Sequence, residues 1–182
     1  IVQDFGVQRD LRILDVGTGS GCIAISLAKS LQNSKVYGLD ISKSALDIAR
    51  KNANLNGVEI EFLEMDILDS ISDVNSEKAS FDIIVSNPPY VREQEKEKMR
   101  GNVLNYEPHL ALFVTNEDPL IFYKKIIEFA AVNLKCGGSL FFEINEYLGE
   151  QMTLLMRKHN FSHIELRQDI HKKDRMIKGV KN

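Results

Sequence analysis

Cysteine is scarce in this 182-residue chain: there are two, Cys22 and Cys136, far apart and in no CxxC pair. That excludes a disulfide framework and a thiolate zinc site, and it reads as two reduced cytosolic thiols. Histidine is sparse as well. His109, His159, His163 and His171 show no ligand spacing to cysteines or carboxylates, so no metal site is expected. No apolar run approaches the ~18 residues that a membrane-spanning helix needs. The opening IVQDFGVQRD lacks the basic and apolar regions of a secretory leader, so a cytoplasmic protein is expected. Positive charge is not in excess. With 23 Lys and Arg against 26 Asp and Glu the net charge is −3, which argues against general electrostatic affinity for nucleic acid. No repeat or low-complexity linker divides the chain, and its length suffices for one domain with a sizeable core.

What is present is an alternation of strand and helix patterns. RILDVG (12–17) is a short apolar run ended by glycine, and CIAISLAKSL (22–31) has helical apolar spacing. KVYGLD (35–40) is a second strand. Ser42 caps a helix reaching about Asn56, with Gly57 at its C′ position. EIEFLEMD (59–66) and SFDIIVS (80–86) are the third and fourth strands. Asp118 and Pro119 read as N-cap and N1 of a helix through Leu134, which CGG stops before the strand SLFFEI (139–144). A helix over 150–159 and a closing pair of strands, HIELRQ and RMIKGV, complete the chain. Successive βα units predict an α/β fold, a mostly parallel sheet with helices on both faces. The charge-dense REQEKEKMR (92–100) reads as a solvated helix or mobile loop.

In open α/β sheets ligands bind at the carboxyl ends of the strands, near the point where strand order reverses. DVGTGSG (15–21) lies at the end of the first strand, where Gly17, Gly19 and Gly21 permit tight turns and close backbone approach. The next helix points its N-terminus at this loop. A dinucleotide site asks for G-x-G-x-x-G, whereas the spacing here is G-x-G-x-G and Asp15 precedes it. Asp15 would face a pyrophosphate badly and suits a cation. S-adenosylmethionine, with a sulfonium, an ammonium and no phosphate, meets that condition. Asp40 ends the second strand and is placed to accept from both ribose hydroxyls. Asp66 and Ile67 end the third, beside a base pocket.

SNPPYV (86–91) follows the fourth strand. Its two prolines fix φ near ~−65° and offer carbonyls without competing N–H donors. The Asn87 side-chain oxygen and the Pro88 carbonyl together can accept both hydrogens of a planar NH₂, and Tyr90 can cover its flat face. The delocalised lone pair makes such a nitrogen a poor nucleophile. Fixed acceptors help where positive charge develops as a methyl group arrives, and alignment at about 3 Å supplies much of the rest.

The segments LDVGTGSGCIAISLA, VYGLDISKSALDIARKNA, FDIIVSNPPYV and YEPHLALF together resemble the HemK/PrmC-type protein-(glutamine-N5) methyltransferases, over nearly the whole chain. The resemblance implies a Rossmann-like class I S-adenosylmethionine-dependent methyltransferase fold, with a mostly parallel seven-stranded sheet and an antiparallel strand near the C-terminus. It implies methylation of the glutamine in the Gly-Gly-Gln motif of peptide chain release factors, by a monomer that does not bind nucleic acid directly. Cofactor contacts are implied for Asp15, Gly17, Thr18, Gly19, Ser20, Gly21, Asp40, Ile41, Asp66, Ile67 and Asn87. Catalytic positioning is implied for Asn87, Pro88 and Tyr90, and substrate contacts for Asn87, Pro88, Pro89, Tyr90 and Glu107, with Pro108 beside Glu107 at the pocket rim. Two departures stand out: the family usually has glycine where Lys172 stands and often where Asn145 stands. The family also carries an N-terminal helical domain and an RPETE-like segment ahead of IVQDFG. Residues 1–182 are therefore expected to be a catalytic domain from a longer protein.

NPPY is shared with enzymes that methylate amino groups of DNA adenine and of ribosomal RNA, so a nucleic-acid amino methyltransferase is the nearest alternative. Such an enzyme would need basic or aromatic elements to hold a flipped base. The stretch 168–182 has five Lys or Arg against two Asp, a feature that a ribosome-bound protein substrate would equally favour. A non-catalytic cofactor-binding domain would be expected to carry a damaged clamp, and this one is intact. A nicotinamide oxidoreductase is disfavoured by the glycine spacing.

Overall fold

A computed structural model of the chain describes residues 1–6, 10–69, 81–89, 91–92, 113–114 and 118–182, of which 91–92 and 113–114 are described as backbone only. The elements run α1 (Val2–Phe5), β1 (Arg12–Val16), α2 (Cys22–Ser30), β2 (Lys35–Asp40), α3 (Lys43–Leu55), β3 (Glu61–Glu64), β4 (Phe81–Ser86), β5 (Val91–Arg92), β6 (Phe113–Val114), α4 (Ile121–Asn133), β7 (Leu134–Glu143), α5 (Gly149–Lys158), β8 (Phe161–Gln168) and β9 (Asp174–Lys181). The main sheet has seven strands in the order β3-β2-β1-β4-β7-β9-β8. Pairing is parallel from β3 through β7, and β9 runs antiparallel to both neighbours. This is the expected mostly parallel sheet with one antiparallel strand near the C-terminus. No helix among the described residues is long and apolar enough to cross a membrane.

The strands are near-continuous apolar runs because both sheet faces are covered. Alternate side chains feed two cores. Leu14, Val16, Leu39, Ile84, Leu140 and Phe142 pack with Tyr123, Ile127 and Met152 of α4 and α5. Ile13, Val36, Ile83 and Val85 pack on the other face with Ala24, Leu27 and Leu31 of the α2 region. Tyr123 is fully buried, stands edge-on to Phe142 with centroids 5.3 Å apart, and donates its hydroxyl to the Glu143 carbonyl at 3.1 Å. That contact fixes the end of β7. On the opposite face α1 is held by Phe5 edge-on to Phe141 at 6.3 Å and by an Asp4–Lys178 ion pair at 3.0 Å.

Local capping signals set the ends of α3. The Ser42 hydroxyl accepts the Ala45 N–H at 3.2 Å, as its position predicts. Gly57, at φ +66°, donates to the Asn54 carbonyl, and Val58 donates to the Ala53 carbonyl, which closes a Schellman motif.

Two expectations need correction. Asp118 and Pro119 are not N-cap and N1: α4 starts at Ile121, and the pair forms a turn ahead of it, with Asp118 Oδ1 accepting the Leu120 N–H at 3.2 Å. Nor does CGG separate α4 from a strand beginning at 139. The helix ends at Asn133, β7 begins at Leu134, and the register jumps from Phe81↔Leu134 to Ile83↔Ser139. Residues 135–138 therefore bulge out of the ladder, with Gly137 taking φ +77°.

Candidate active site

The sheet changes direction at β1, which has β2 on one side and β4 on the other. Register then brings the strand ends to a common rim. Val16 pairs with Leu39 and with Ser86, and Asp40 pairs with Glu64. Gly17, Asp40, Asn87 and the turn at Met65 and Asp66 therefore lie along one edge, the crevice position expected of this topology. The ends are tied together. Ser86 Oγ donates to the Val16 carbonyl at 2.7 Å, and the Met65 N–H donates to the Asp40 carbonyl at 3.0 Å.

The glycine loop folds back over β2. Gly17 and Thr18 both donate N–H to the Leu39 carbonyl, at 2.8 and 2.9 Å, and Gly21 donates to the Thr18 carbonyl at 2.9 Å. Gly19 has φ +55°, and the space where its Cβ would stand is open. The left-handed backbone turns its N–H inward onto Asp40 Oδ2 at 2.8 Å. At Gly21, φ +85°, a Cβ would come within 3.2 Å of both Ala49 and Ile25, so here glycine also lets α2 and α3 approach. Asn52 on α3 donates Nδ2 to the Ser20 carbonyl at 2.9 Å and holds the loop from outside.

Asp40 has a second role that sequence reasoning missed. Its Oδ1 accepts the Ser42 N–H at 2.9 Å, while Oδ2 accepts Gly19. Both oxygens thus hold backbone donors, and each keeps a lone pair for a ligand. Ile41, next in sequence, is a 61% exposed isoleucine on the rim. Across from it Ile67 is buried, and Asp66 Oδ1 accepts the Leu68 N–H at 2.8 Å.

Asp15 is the most unusual group. It is 1% exposed. Oδ2 accepts the Thr18 hydroxyl at 2.7 Å and the Ala24 N–H at 3.2 Å, whereas Oδ1 is buried without a hydrogen-bond partner. Burial raises its pKa to about 6 against the two hydrogen bonds, and the Asp40 carboxylate adds to the rise. A buried carboxyl with an unused oxygen beneath the loop suits a cationic ligand and would repel a phosphate.

Past β4, Asn87 is exposed, Pro88 buried and Pro89 half-buried. Tyr90 and Glu107 lie outside the described residues, as do Pro108 and the run 93–100. No local pattern marks the short parallel ladder β5–β6, where Val91 pairs with Phe113 and Arg92 with Val114. That pairing sets Phe113 and Val114 beside the backbone that follows NPPY.

No local pattern marks the Ser86 contact with Val16, the Asn52 contact with Ser20 or the Asp40 contact with Gly19. Asn52 is 32 residues from Ser20, with no local signal.

The strand order, the antiparallel β9 and the loop over β1 define a class I S-adenosylmethionine-dependent methyltransferase fold. A family model described as a methyltransferase domain matches residues 8–182, and the chain belongs to that family. Among solved structures, a methyltransferase from Pyrococcus furiosus superposes with a TM-score of 0.70 at 18% identity, over 100% of this chain and 79% of that one. Sequence relatives are closer. The release factor glutamine methyltransferase of Flavobacterium psychrophilum is 56% identical over 170 residues, which is 93% of this chain and 58% of that protein. The protein of the same name from Bacteroides thetaiotaomicron is 48% identical over 91% of this chain and 59% of its own length. The chain thus spans rather more than half the length of these curated relatives.

Proposed function

We propose that residues 1–182 form the catalytic domain of an S-adenosylmethionine-dependent protein methyltransferase, and that its substrate is the side-chain amide of the glutamine in the Gly-Gly-Gln motif of peptide chain release factors. The observation that carries this reading is the exposed Asn87 with Pro88 at the end of β4, beside the glycine loop, in a chain 56% identical to a release factor glutamine methyltransferase. The reaction belongs in the cytoplasm.

The residues fit the cofactor. Open space above Gly17 and Gly19 leaves room for close approach, and Asp15 supplies negative potential beneath them. Asp40 retains lone pairs for two ribose hydroxyls, and Ile41 and Ile67 offer apolar surface to a flat base. S-adenosylmethionine brings an electrophilic methyl group on a sulfonium that becomes a neutral thioether.

The remaining work is positioning. Asn87 Oδ1 and the Pro88 carbonyl accept the two hydrogens of the substrate amide, which fixes the plane of its nitrogen. The proline ring holds that carbonyl in place without a competing N–H. As the new N–C bond forms, positive charge rises on nitrogen next to two fixed acceptors, and one of its protons then leaves to solvent. By resemblance, Tyr90 covers the amide face and Glu107 with Pro108 shapes the rim.

The test is incubation with a purified release factor and S-adenosylmethionine, with the product mapped by tandem mass spectrometry. A methyl group on the Gly-Gly-Gln glutamine is expected. Methylation of an adenine or guanine amino group in place of the release factor would overturn the reading.

A further inference from the structure

Asp15 sits in a position that folding alone does not reward. Its carboxyl is 1% exposed, and one oxygen has no partner. The neighbouring elements offer it little charge. From α2 comes the Ala24 N–H at the helix N-terminus, from the loop the neutral Thr18 hydroxyl, and from the flanking strands the paired residues Gly38 and Val85. Among the described residues, the charged group that acts on it through space is Asp40 on β2, and its sign is unfavourable. Burial favours a bound proton on this carboxyl, the nearby Asp40 anion adds to that, and the two hydrogen bonds on Oδ2 oppose it.

Resting on the cofactor reading above, we propose that Asp15 senses the cofactor's positive charge: in mildly acidic solution the free protein holds a proton on this buried carboxyl, and binding of S-adenosylmethionine expels that proton to solvent. The carboxyl titrates at about 6 in the free protein. A nearby unit positive charge strengthens such an acid by on the order of a hundredfold. The direction follows. Affinity is full above the free-state value and falls as pH drops through it, by about tenfold between pH 7 and pH 5. Net release is about half a proton at pH 6 and about 0.8 at pH 5.

The experiment is calorimetric titration of the whole chain with S-adenosylmethionine, at pH 6, in two buffers of very different ionisation enthalpy. The wild type should show release of about half a proton, and Asp15→Asn should show a smaller release and a flatter pH dependence of affinity. Asp40 and Asp66 line the same site in both proteins, so the difference between them isolates Asp15. Adenosine, which carries neither cation, should release less from the wild type than S-adenosylmethionine does. A second readout needs no ligand. Removing a buried, poorly solvated carboxylate should raise the unfolding temperature of free Asp15→Asn at pH 7.5, and the gain should shrink by pH 5. Equal proton release by wild type and variant, equal release by adenosine, or a variant no more stable than wild type at pH 7.5 overturns the proposal. If the wild type shows no affinity for S-adenosylmethionine at pH 7.5, the cofactor reading itself falls, a result distinct from binding without proton release.

Discussion

Replacing Asp40 by asparagine is a conservative change in shape and should be a severe one here. Both carboxylate oxygens accept backbone N–H groups, Gly19 at 2.8 Å and Ser42 at 2.9 Å. An asparagine has one acceptor. Whichever way its amide is turned, the NH₂ meets one of those donors, and that N–H loses its partner. A hydrogen bond to a charged group contributes roughly 1.5–3 kcal/mol, and the surviving bond weakens when its acceptor becomes neutral. The expected cost is about 2–3 kcal/mol, which for a domain of this size is a fall of about 4–12 °C in unfolding temperature. Cofactor affinity should fall as well, because the glycine loop is no longer anchored to the acid assigned to the ribose. The assay is thermal and urea unfolding of wild type, Asp40→Asn and Asp40→Ala, with cofactor titration of each. The two variants should resemble one another. An Asp40→Asn protein within about 0.5 kcal/mol of wild type would show that solvent satisfies those donors and would refute the structural role given to this carboxylate.

Other consequences are open to measurement. Asn87→Ala should leave cofactor affinity nearly unchanged and lower turnover on the release factor by about 10²–10³-fold; steady-state kinetics with normal turnover would refute the clamp. Lys172 holds φ +59°, a conformation that costs a non-glycine residue about 1–2 kcal/mol. Part of that is offset by the extra chain entropy of glycine, so Lys172→Gly should stabilise by about 0.5–1 kcal/mol in urea unfolding. At α1, the hydrogen bond from Lys178 is the main influence holding the Asp4 carboxyl below its usual range. Its contribution is therefore present above the unfolded-state value and is lost as pH falls through the lower folded one. The stability difference between wild type and Lys178→Met should shrink between pH 6 and pH 3, and a difference independent of pH would remove Asp4 from the account.

The legible parts of this molecule are those where cause and effect are close in sequence. Runs such as LDV and IIV are buried on both faces, and a helix cap or a Schellman glycine acts within a few residues of itself. The candidate site was legible for the same reason: Asp15, Asp40 and Asp66 lie within two residues of a strand end, NPPY follows directly on β4, and parallel topology gathers strand ends at one rim. What stayed hidden depends on register. That Asp40 anchors Gly19, that Asn52 holds Ser20 and that β5 pairs with β6 are facts about separations of 21, 32 and about 20 residues, for which no local pattern exists. CGG reads as a stop because glycines usually end helices, yet here they let residues loop out of a ladder already begun. The two departures from the family pattern divide along the same line. Lys172 keeps the left-handed backbone that glycine would adopt freely and bears the strain. Asn145 uses its own side chain, with Oδ1 accepting the Tyr147 N–H at 3.2 Å, a local turn that glycine cannot make. Lys172 bears a backbone that suits glycine and Asn145 makes a side-chain turn that glycine cannot, so glycine should stabilise position 172 and should not stabilise position 145.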